Sequence, residues 1–351
     1  MTRNEIQNEA LKAIQNRSTL AISMGVGKTR IALRHASKYK KILVVAPKRS
    51  IFESWENEKK EIESTSNIEY STYLSLHKQS QDYDLVILDE CHSILQSHEK
   101  WLKSYSGHIL GLTGTPPRYK TSVKGILIDR YCPVVYKYLI KNAVDNKILN
   151  DYLIYIHKIP LSSKKDIKVE LKDRTFYTSE VDSYRYATKR LKITTNLKEL
   201  QYFRIIRMKT LMGFKSKVDY LYNLLDKINN KTIVFCNTQK QADELLPHSY
   251  HSKNKKSKEN LQLFIEGKIK KLSCVLSLNE GVNVPELEAG VIMHSYSNER
   301  KTSQMIGRLL RLSSDKTATV HILVYKDTVD EDWVEQALRD FDSNKIFVID
   351  E

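Results

Sequence analysis

Short runs rich in Val, Ile and Leu recur along this chain, and they constrain its fold more than any other feature. Thr19–Ser23, Lys41–Ala46, Asp84–Leu88 and His108–Leu112 read as strands, with Lys28–Tyr39 and Trp55–Glu63 helical between them. A strand with one wet face alternates polar and apolar residues. A strand that is apolar throughout is covered on both faces, as parallel strands in βαβ units are. The last third repeats the rhythm, with strands at Lys231–Cys236, Leu272–Leu278, Ala289–His294 and Thr317–Val324 and helices at Gln239–Leu246 and Ser303–Leu310. With 351 residues and about 100–200 per domain, two domains fit. The expected fold is α/β, with two parallel-sheet lobes at 1–150 and 151–351. Between the two rhythms the pattern changes. Residues 120–150 have mixed periodicity, Tyr152–Pro160 reads as an extended connector, and Ser162–Asp173 is polar and Lys-rich without periodicity. Ser179–Ile228 is mostly helix-like, so a basic helical insertion is expected at about 174–228.

Composition narrows the class. Hydrophobic residues make up 41% and charged residues 28%, with 11 Gly and 7 Pro, which excludes a collagenous or mainly disordered chain. Cys91, Cys132, Cys236 and Cys274 include no C-x-x-C pair, so neither a zinc site nor a disulfide framework is indicated. No apolar run approaches the roughly 20 residues of a membrane span, and Met1-Thr2-Arg3-Asn4-Glu5 lacks a signal-peptide pattern. A soluble, cytoplasmic protein with no membrane partner is expected. Lys and Arg number 57 against 42 Asp and Glu, a net charge of +15. That favours a polyanionic partner, although solvated lysine faces alone give the same number. The densest cluster, His251–Glu259, reads first as a solvated loop and second as a phosphate contact.

Chemistry enters at Ala21-Ile22-Ser23-Met24-Gly25-Val26-Gly27-Lys28-Thr29, followed by Arg30. A strand runs into a glycine-containing loop and then a helix, which presents backbone N–H groups to phosphates at the helix N-terminus. Lys28 is placed to reach the β- and γ-phosphates, and the Thr29 hydroxyl to ligate Mg²⁺. The strict pattern G-x-x-x-x-G-K-[ST] wants glycine at position 22, which is Ile22 here. The second feature is Leu85-Val86-Ile87-Leu88-Asp89-Glu90-Cys91-His92. It delivers two carboxylates at a strand's C-terminal end, where α/β sheets place their ligands. Asp89 suits Mg²⁺, directly or through water, and Glu90 suits orienting the attacking water. Alone, an Asp-Glu pair reads as a solvated turn; after a phosphate loop it completes an ATPase site.

The A-x-x-M-G-x-G-K-T loop and the D-E-C-H tetrad resemble those of superfamily 2 helicases, DEAD/DEAH-type enzymes related to Swi/Snf-type translocases. Further segments follow in the family's order. Val44-Val45-Ala46-Pro47-Lys48, with Trp55 and Glu58, resembles motif Ia, and Ser71-Thr72-Tyr73-Leu74-Ser75-Leu76 resembles the segment after it. Leu110-Gly111-Leu112-Thr113-Gly114-Thr115-Pro116 resembles motif III, and Thr232–Cys236 motif IV. Asn279-Glu280-Gly281-Val282-Asn283-Val284-Pro285 resembles motif V, and Gln304-Met305-Ile306-Gly307-Arg308-Leu309-Leu310-Arg311 motif VI. Arg3 and Gln7 sit where the family recognises adenine. The resemblance spans residues 3–311 and implies two tandem RecA-like domains using ATP and Mg²⁺. It implies nucleotide binding by Arg3, Gln7, Met24, Gly25, Val26, Gly27, Lys28, Thr29, Arg30, Gly281 and Asn283. Lys28, Asp89, Glu90, Gln304 and the arginine fingers Arg308 and Arg311 would be catalytic. Pro47, Lys48, Thr72, Tyr73, His92, Thr113, Gly114 and Thr115 would contact nucleic acid or couple the lobes. The bland readings stand beside these: Trp55 and Tyr73 as packing residues, Cys91 as a filler, and Gly111 and Gly114 as turn residues.

The function implied is ATP-dependent movement on, or remodelling of, DNA by a compact, phage-like helicase or translocase acting as a monomer. Alternatives are an RNA-dependent helicase, a nucleotide-switched binding module, or a translocase subunit working with a nuclease partner. Arg174–Arg207 stands outside the family pattern and mixes Tyr177, Tyr184, Tyr186, Tyr202 and Phe203 with Lys and Arg. It reads first as a helical pair with its aromatics packed inward, and second as a contact to the duplex flank.

Overall fold

The computed structural model describes residues 1–170, 173–275, 287–297, 299–310 and 317–350, with the backbone alone for Glu299. The chain forms two compact units, one built on Met1–Asp151 with Leu310 and the other on the remaining described residues from Tyr152 onward. The first carries α1 (Arg3–Ala13), β1 (Arg17–Ile22), α2 (Lys28–Ala36), β2 (Ile42–Ala46), α3 (Ser50–Glu61) and β3 (Ile68–Thr72). It continues through β4 (Leu85–Asp89), α4 (Glu99–Ser104), β5 (His108–Thr113), α5 (Val123–Tyr131), β6 (Val134–Tyr138) and α6 (Ile140–Asp145). Its six strands run in the order β3-β2-β4-β5-β1-β6, every described pairing being parallel. The apolar runs of β2 and β4 are buried at every position, the two-sided covering that their lack of alternation predicts. α1 opens on a capping box in which Thr2 accepts from the Glu5 amide and Glu5 from the Thr2 amide.

The second unit carries β7 (Tyr152–Ile159), β8 (Ile167–Glu170), β9 (Thr175–Thr178), α7 (Glu180–Ile193), α8 (Leu197–Gly213), α9 (Ser216–Lys227), β10 (Thr232–Cys236) and α10 (Gln239–Leu245). After these come β11 (Ser249–Tyr250), α11 (Ser257–Ile265), β12 (Lys271–Val275), β13 (Ala289–Ile292), α12 (Glu299–Leu309), β14 (Ala318–Tyr325), α13 (Val329–Leu338) and β15 (Ile346–Asp350). Seven parallel strands run β11-β12-β10-β13-β14-β7-β15.

Two expectations change. Tyr152–Pro160 is not a connector. As β7 it is paired on both sides, by β14 and β15. Its polar members hid this, because buried His157 finds its partners only in the tertiary structure, in Tyr220 at 2.8 Å and His321 at 2.9 Å. Ser162–Asp173 is not irregular throughout, since β8 pairs antiparallel with β9. The strand expected at Leu272–Leu278 is described only to Val275. Of the helix-like segment, α9 buries Leu221, Leu224 and Leu225 in the core beneath the large sheet. No helix among the described residues is long and apolar enough to cross a membrane.

Candidate ATP site and its coupling residues

Because every strand of the first unit is parallel, the segments that follow β1, β2, β3, β4 and β5 all emerge at the sheet's C-terminal edge. Ser23–Gly27, Pro47–Lys48, Thr72, Asp89–Glu90 and Thr113–Thr115 therefore share one rim.

The loop after β1 turns on two glycines in the left-handed region, Gly25 at φ 88° and Gly27 at φ 95°. Gly27 has a second reason to lack a side chain, since a Cβ there would lie 2.7 Å from Gln7 Nε2. α2 starts with no side-chain cap and no acidic residue in its first turn, leaving its amides to an anion. Lys28 Nζ donates to the Ile22 carbonyl at 3.3 Å, folded back across the loop. Gln7, 2% exposed, donates through Nε2 to the Val26 carbonyl at 2.7 Å. The adenine-segment glutamine thus tethers the loop, while Arg3 is exposed on the first turn of α1. Arg30 is turned toward α3, with Nε 2.6 Å from Glu58 and Nη2 3.2 Å from Glu61.

Asp89 ends β4 and is buried. One carboxylate oxygen accepts the Trp55 indole N–H at 2.9 Å, and the other accepts the Glu90 amide at 3.0 Å. Burial pushes the Asp89 carboxyl above its usual range, opposed by the Trp55 hydrogen bond and the Lys28 charge. Glu90 stands at φ 48°, a conformation that a side-chain-bearing residue keeps only where its surroundings impose it. Its Oε2 lies 3.2 Å from His92 Nδ1. The same His92 nitrogen is 2.9 Å from Thr113 Oγ1, which accepts the Thr115 amide at 3.1 Å. Asp89 pairs with Leu112 across the β4–β5 ladder, so this chain of contacts joins the D-E-C-H tetrad to the L-T-G-T-P segment between neighbouring strands. A Cβ on Gly114 would lie 3.6 Å from Lys28 Nζ, which brings that segment beside the phosphate-loop lysine.

Several residues take roles other than those expected. Tyr73, grouped with the nucleic-acid and coupling residues, takes its packing reading instead: it is 5% exposed and donates its hydroxyl to the Asp89 carbonyl at 2.9 Å. It is a core residue that fixes the end of β4, and burial pushes its phenol well up. Gly111 does not serve a turn. It lies within β5, where a Cβ would meet Thr19 Oγ1 at 2.2 Å and Cys91 Sγ at 3.2 Å. Cys91 is wholly buried, its thiol pushed up by its hydrogen bond with Cys132 and by burial, as befits a packing residue. Thr113 is buried in the relay, Pro47, Thr72, Gly114 and Thr115 are half-buried, and Lys48 is exposed on the rim. The Trp55 bond to Asp89 was not read from the sequence. Its signal is general: a buried indole N–H needs an acceptor.

In the second unit the motif IV segment is β10, buried at every position. α12 carries motif VI, burying Met305, Ile306 and Leu309 while Gln304 and Arg308 stay half-buried one turn apart. Gly290 permits this packing, because a Cβ there would overlap Leu309. Gly281, Asn283 and Arg311 lie outside the described residues. No group of three or more His, Cys, Asp or Glu that could hold a metal exists among the described residues. Thr29 and Asp89 are hard oxygen donors and suit Mg²⁺, which keeps several waters and takes one or two protein ligands beside substrate phosphates.

Residues 216–313 match the family described as "Helicase conserved C-terminal domain", and residues 1–82 match "Type III restriction enzyme, res subunit". The chain is 25% identical over 365 residues to the DNA 3'-5' translocase XPB2 of Sulfurisphaera tokodaii, covering 93% of this chain and 82% of that protein. Among solved structures it is similar to a fragment of a putative HsdR subunit of a type I restriction enzyme from Vibrio vulnificus. The TM-score is 0.63 and the identity 20%, covering 99% of this chain and 68% of that one. It is also similar to S. cerevisiae Dbp5 bound to RNA and ADP BeF3, with a TM-score of 0.54 and 14% identity, covering 99% and 89% of the two chains. These structural likenesses carry the fold, two RecA-like units in tandem. The two family matches and the similarity to a DNA translocase, together with the ordered motifs, support a superfamily 2 helicase or translocase, a class of nucleic-acid-dependent ATPases.

Proposed function

We propose that this protein is an ATP-dependent DNA translocase or helicase that couples ATP hydrolysis to movement on, or remodelling of, DNA. The observation that carries the reading is the contact chain Glu90–His92–Thr113–Thr115 beside the Gly25–Thr29 loop. A nucleotide-binding module without turnover has no use for a glutamate held at φ 48° at the end of a phosphate-site strand. The reading assigns Lys28 and the α2 amides to the phosphates and Glu90 to the attacking water, with His92 orienting its carboxylate. Thr29 and Asp89 would hold Mg²⁺, which neutralises charge on the β- and γ-phosphates when bound. Arg308 and Arg311 would meet the charge that builds on the γ-phosphate, with Gln304 one turn before Arg308 on α12 and Gly281 and Asn283 from motif V. Lys48 and Thr72 remain the candidates for backbone contact. DNA is favoured over RNA by the similarity to a DNA translocase along most of the chain.

The test is steady-state ATP hydrolysis with Mg²⁺, first alone and then with single-stranded, duplex and forked DNA and with RNA. DNA should stimulate turnover. Glu90→Gln should abolish the stimulated rate, and Arg308→Ala should lower it by about 10³-fold or more. Stimulation by RNA alone would reassign the substrate. No turnover with any polymer, despite ATP binding, would overturn the motor.

A further inference from the structure

The segment from β8 to α8 carries side chains that the cores do not absorb. Phe203 is buried, as an inward-packed pair requires, and Arg190 of α7 lies 4.9 Å over its ring, joining the two helices. Tyr184 also packs against the core and accepts the Val329 amide at 2.9 Å; the other three aromatics break the inward expectation. Tyr177 is 60% exposed, Tyr186 63% and Tyr202 60%. Each stands among cations. On α7, Tyr186 shares the exposed face with Lys189 and Ile193; on α8, Tyr202 shares it with Lys198, Ile205 and Lys209. Arg174 lies 5.7 Å over Phe176 beside Tyr177 on the β8–β9 hairpin. Residues 180–213 hold eight Lys or Arg against three Asp or Glu, one of which, Glu180, is buried. Among the described residues, Lys189, Lys198 and Lys209 form no ion pair.

We propose that the β8–β9 hairpin and the outer faces of α7 and α8 bind single-stranded nucleic acid. Bases stack on Tyr177, Tyr186 and Tyr202, and phosphates meet Lys189, Lys198 and Lys209. The inference rests on the nucleic-acid reading of the chain but not on its motor. Both halves of the chemistry are present. Stacking needs exposed, stiff rings, and tyrosine offers a π-face with only two side-chain torsions to freeze. Backbone attraction needs cations not already neutralised by carboxylates. Unpaired bases fit better than a duplex, whose bases are already stacked on one another. An acidic protein surface would satisfy the lysines while leaving the three rings without a role.

The experiment uses the full chain without nucleotide and reads fluorescence anisotropy on labelled oligo(dT) at increasing salt. Tyr186→Ala with Tyr202→Ala should weaken binding by at least about fivefold per ring, with an unchanged salt dependence. Tyr186→Phe with Tyr202→Phe should keep it, since the rings remain. Exchanging Lys189, Lys198 and Lys209 for Gln should flatten the slope of log K against log salt by about 0.7 per lost phosphate contact. Photocrosslinking of an iodouracil-substituted oligonucleotide should label peptides containing Tyr186 or Tyr202. Alanine and glutamine sets that bind like wild type, or crosslinks confined to residues 1–151, would overturn the proposal. A chain that binds through this surface yet never hydrolyses ATP would sink the motor reading alone. Polymer-stimulated turnover with the α7 and α8 variants binding oligo(dT) like wild type would sink only this one.

Discussion

At the scale of single residues, the site depends on a few side chains that hold others in place. Gln7 is such a residue. Its bond to the Val26 carbonyl ties α1 to the phosphate loop. A buried carbonyl that loses its donor costs about 1–3 kcal/mol. Gln7→Ala should therefore loosen the loop and raise the KM for ATP by about tenfold, with kcat little changed. Steady-state kinetics check this, and an unchanged KM would mean the tether is not needed. The loop, the Asp-Glu pair and the motif VI arginine were legible as residue types at given spacings. The partners of those residues were not. That Trp55 bonds to Asp89, or that Tyr73 supports the same strand end instead of facing nucleic acid, depends on which side chains β4 brings near. No spacing rule encodes that.

At the scale of elements, β1, β2, β4, β5, β10, β13 and β14 were read within a residue or two because their burial is two-sided and their composition says so; β3, β6, β11 and β15, partly exposed or only two residues long, were not expected at all. β7 escaped because its pattern is broken by His157 and Lys158. His157 is buried against His321 of β14 and Tyr220 of α9, and Tyr155 stacks on His321. Burial, with His157 nearby, holds the His321 imidazole down at about 4. In the unfolded chain it titrates near 6.5. The unfolded state then binds more protons between those values, so this group's contribution is fully present above about pH 6.5 and is lost as pH falls toward 4. Urea midpoints measured from pH 7.5 to pH 4.5 should fall, and His321→Phe should reduce the slope. It should not remove it, because burial also lowers His35. An identical slope in the variant would show that His321 is protonated in the folded protein.

At the scale of the whole molecule, contacts between residues far apart in sequence close each unit. In the second, Lys217 at the start of α9 is wholly buried and pairs with Asp330 at the start of α13, 113 residues on. Its ammonium also lies 4.4 Å over the Tyr325 ring. Burial pulls the Lys217 pKa down while Asp330 opposes it. Removing one partner from a buried pair leaves an uncompensated charge, at a cost of about 3–5 kcal/mol. Asp330→Ala should lower the urea midpoint accordingly. Lys217→Met combined with Asp330→Leu should recover much of the loss, and equal midpoints for Asp330→Ala and wild type would show that the pair contributes nothing. Two α/β units, parallel sheets and an ordered motif set were legible because burial on both faces and phosphate chemistry each leave a mark on local sequence. The Gln7 tether, the Glu90–His92–Thr113 relay, the interior place of β7 and the outward tyrosines of α7 and α8 were decided only in three dimensions. Each is a meeting of side chains, or the lack of one, between segments whose separation along the chain says nothing about their distance in space.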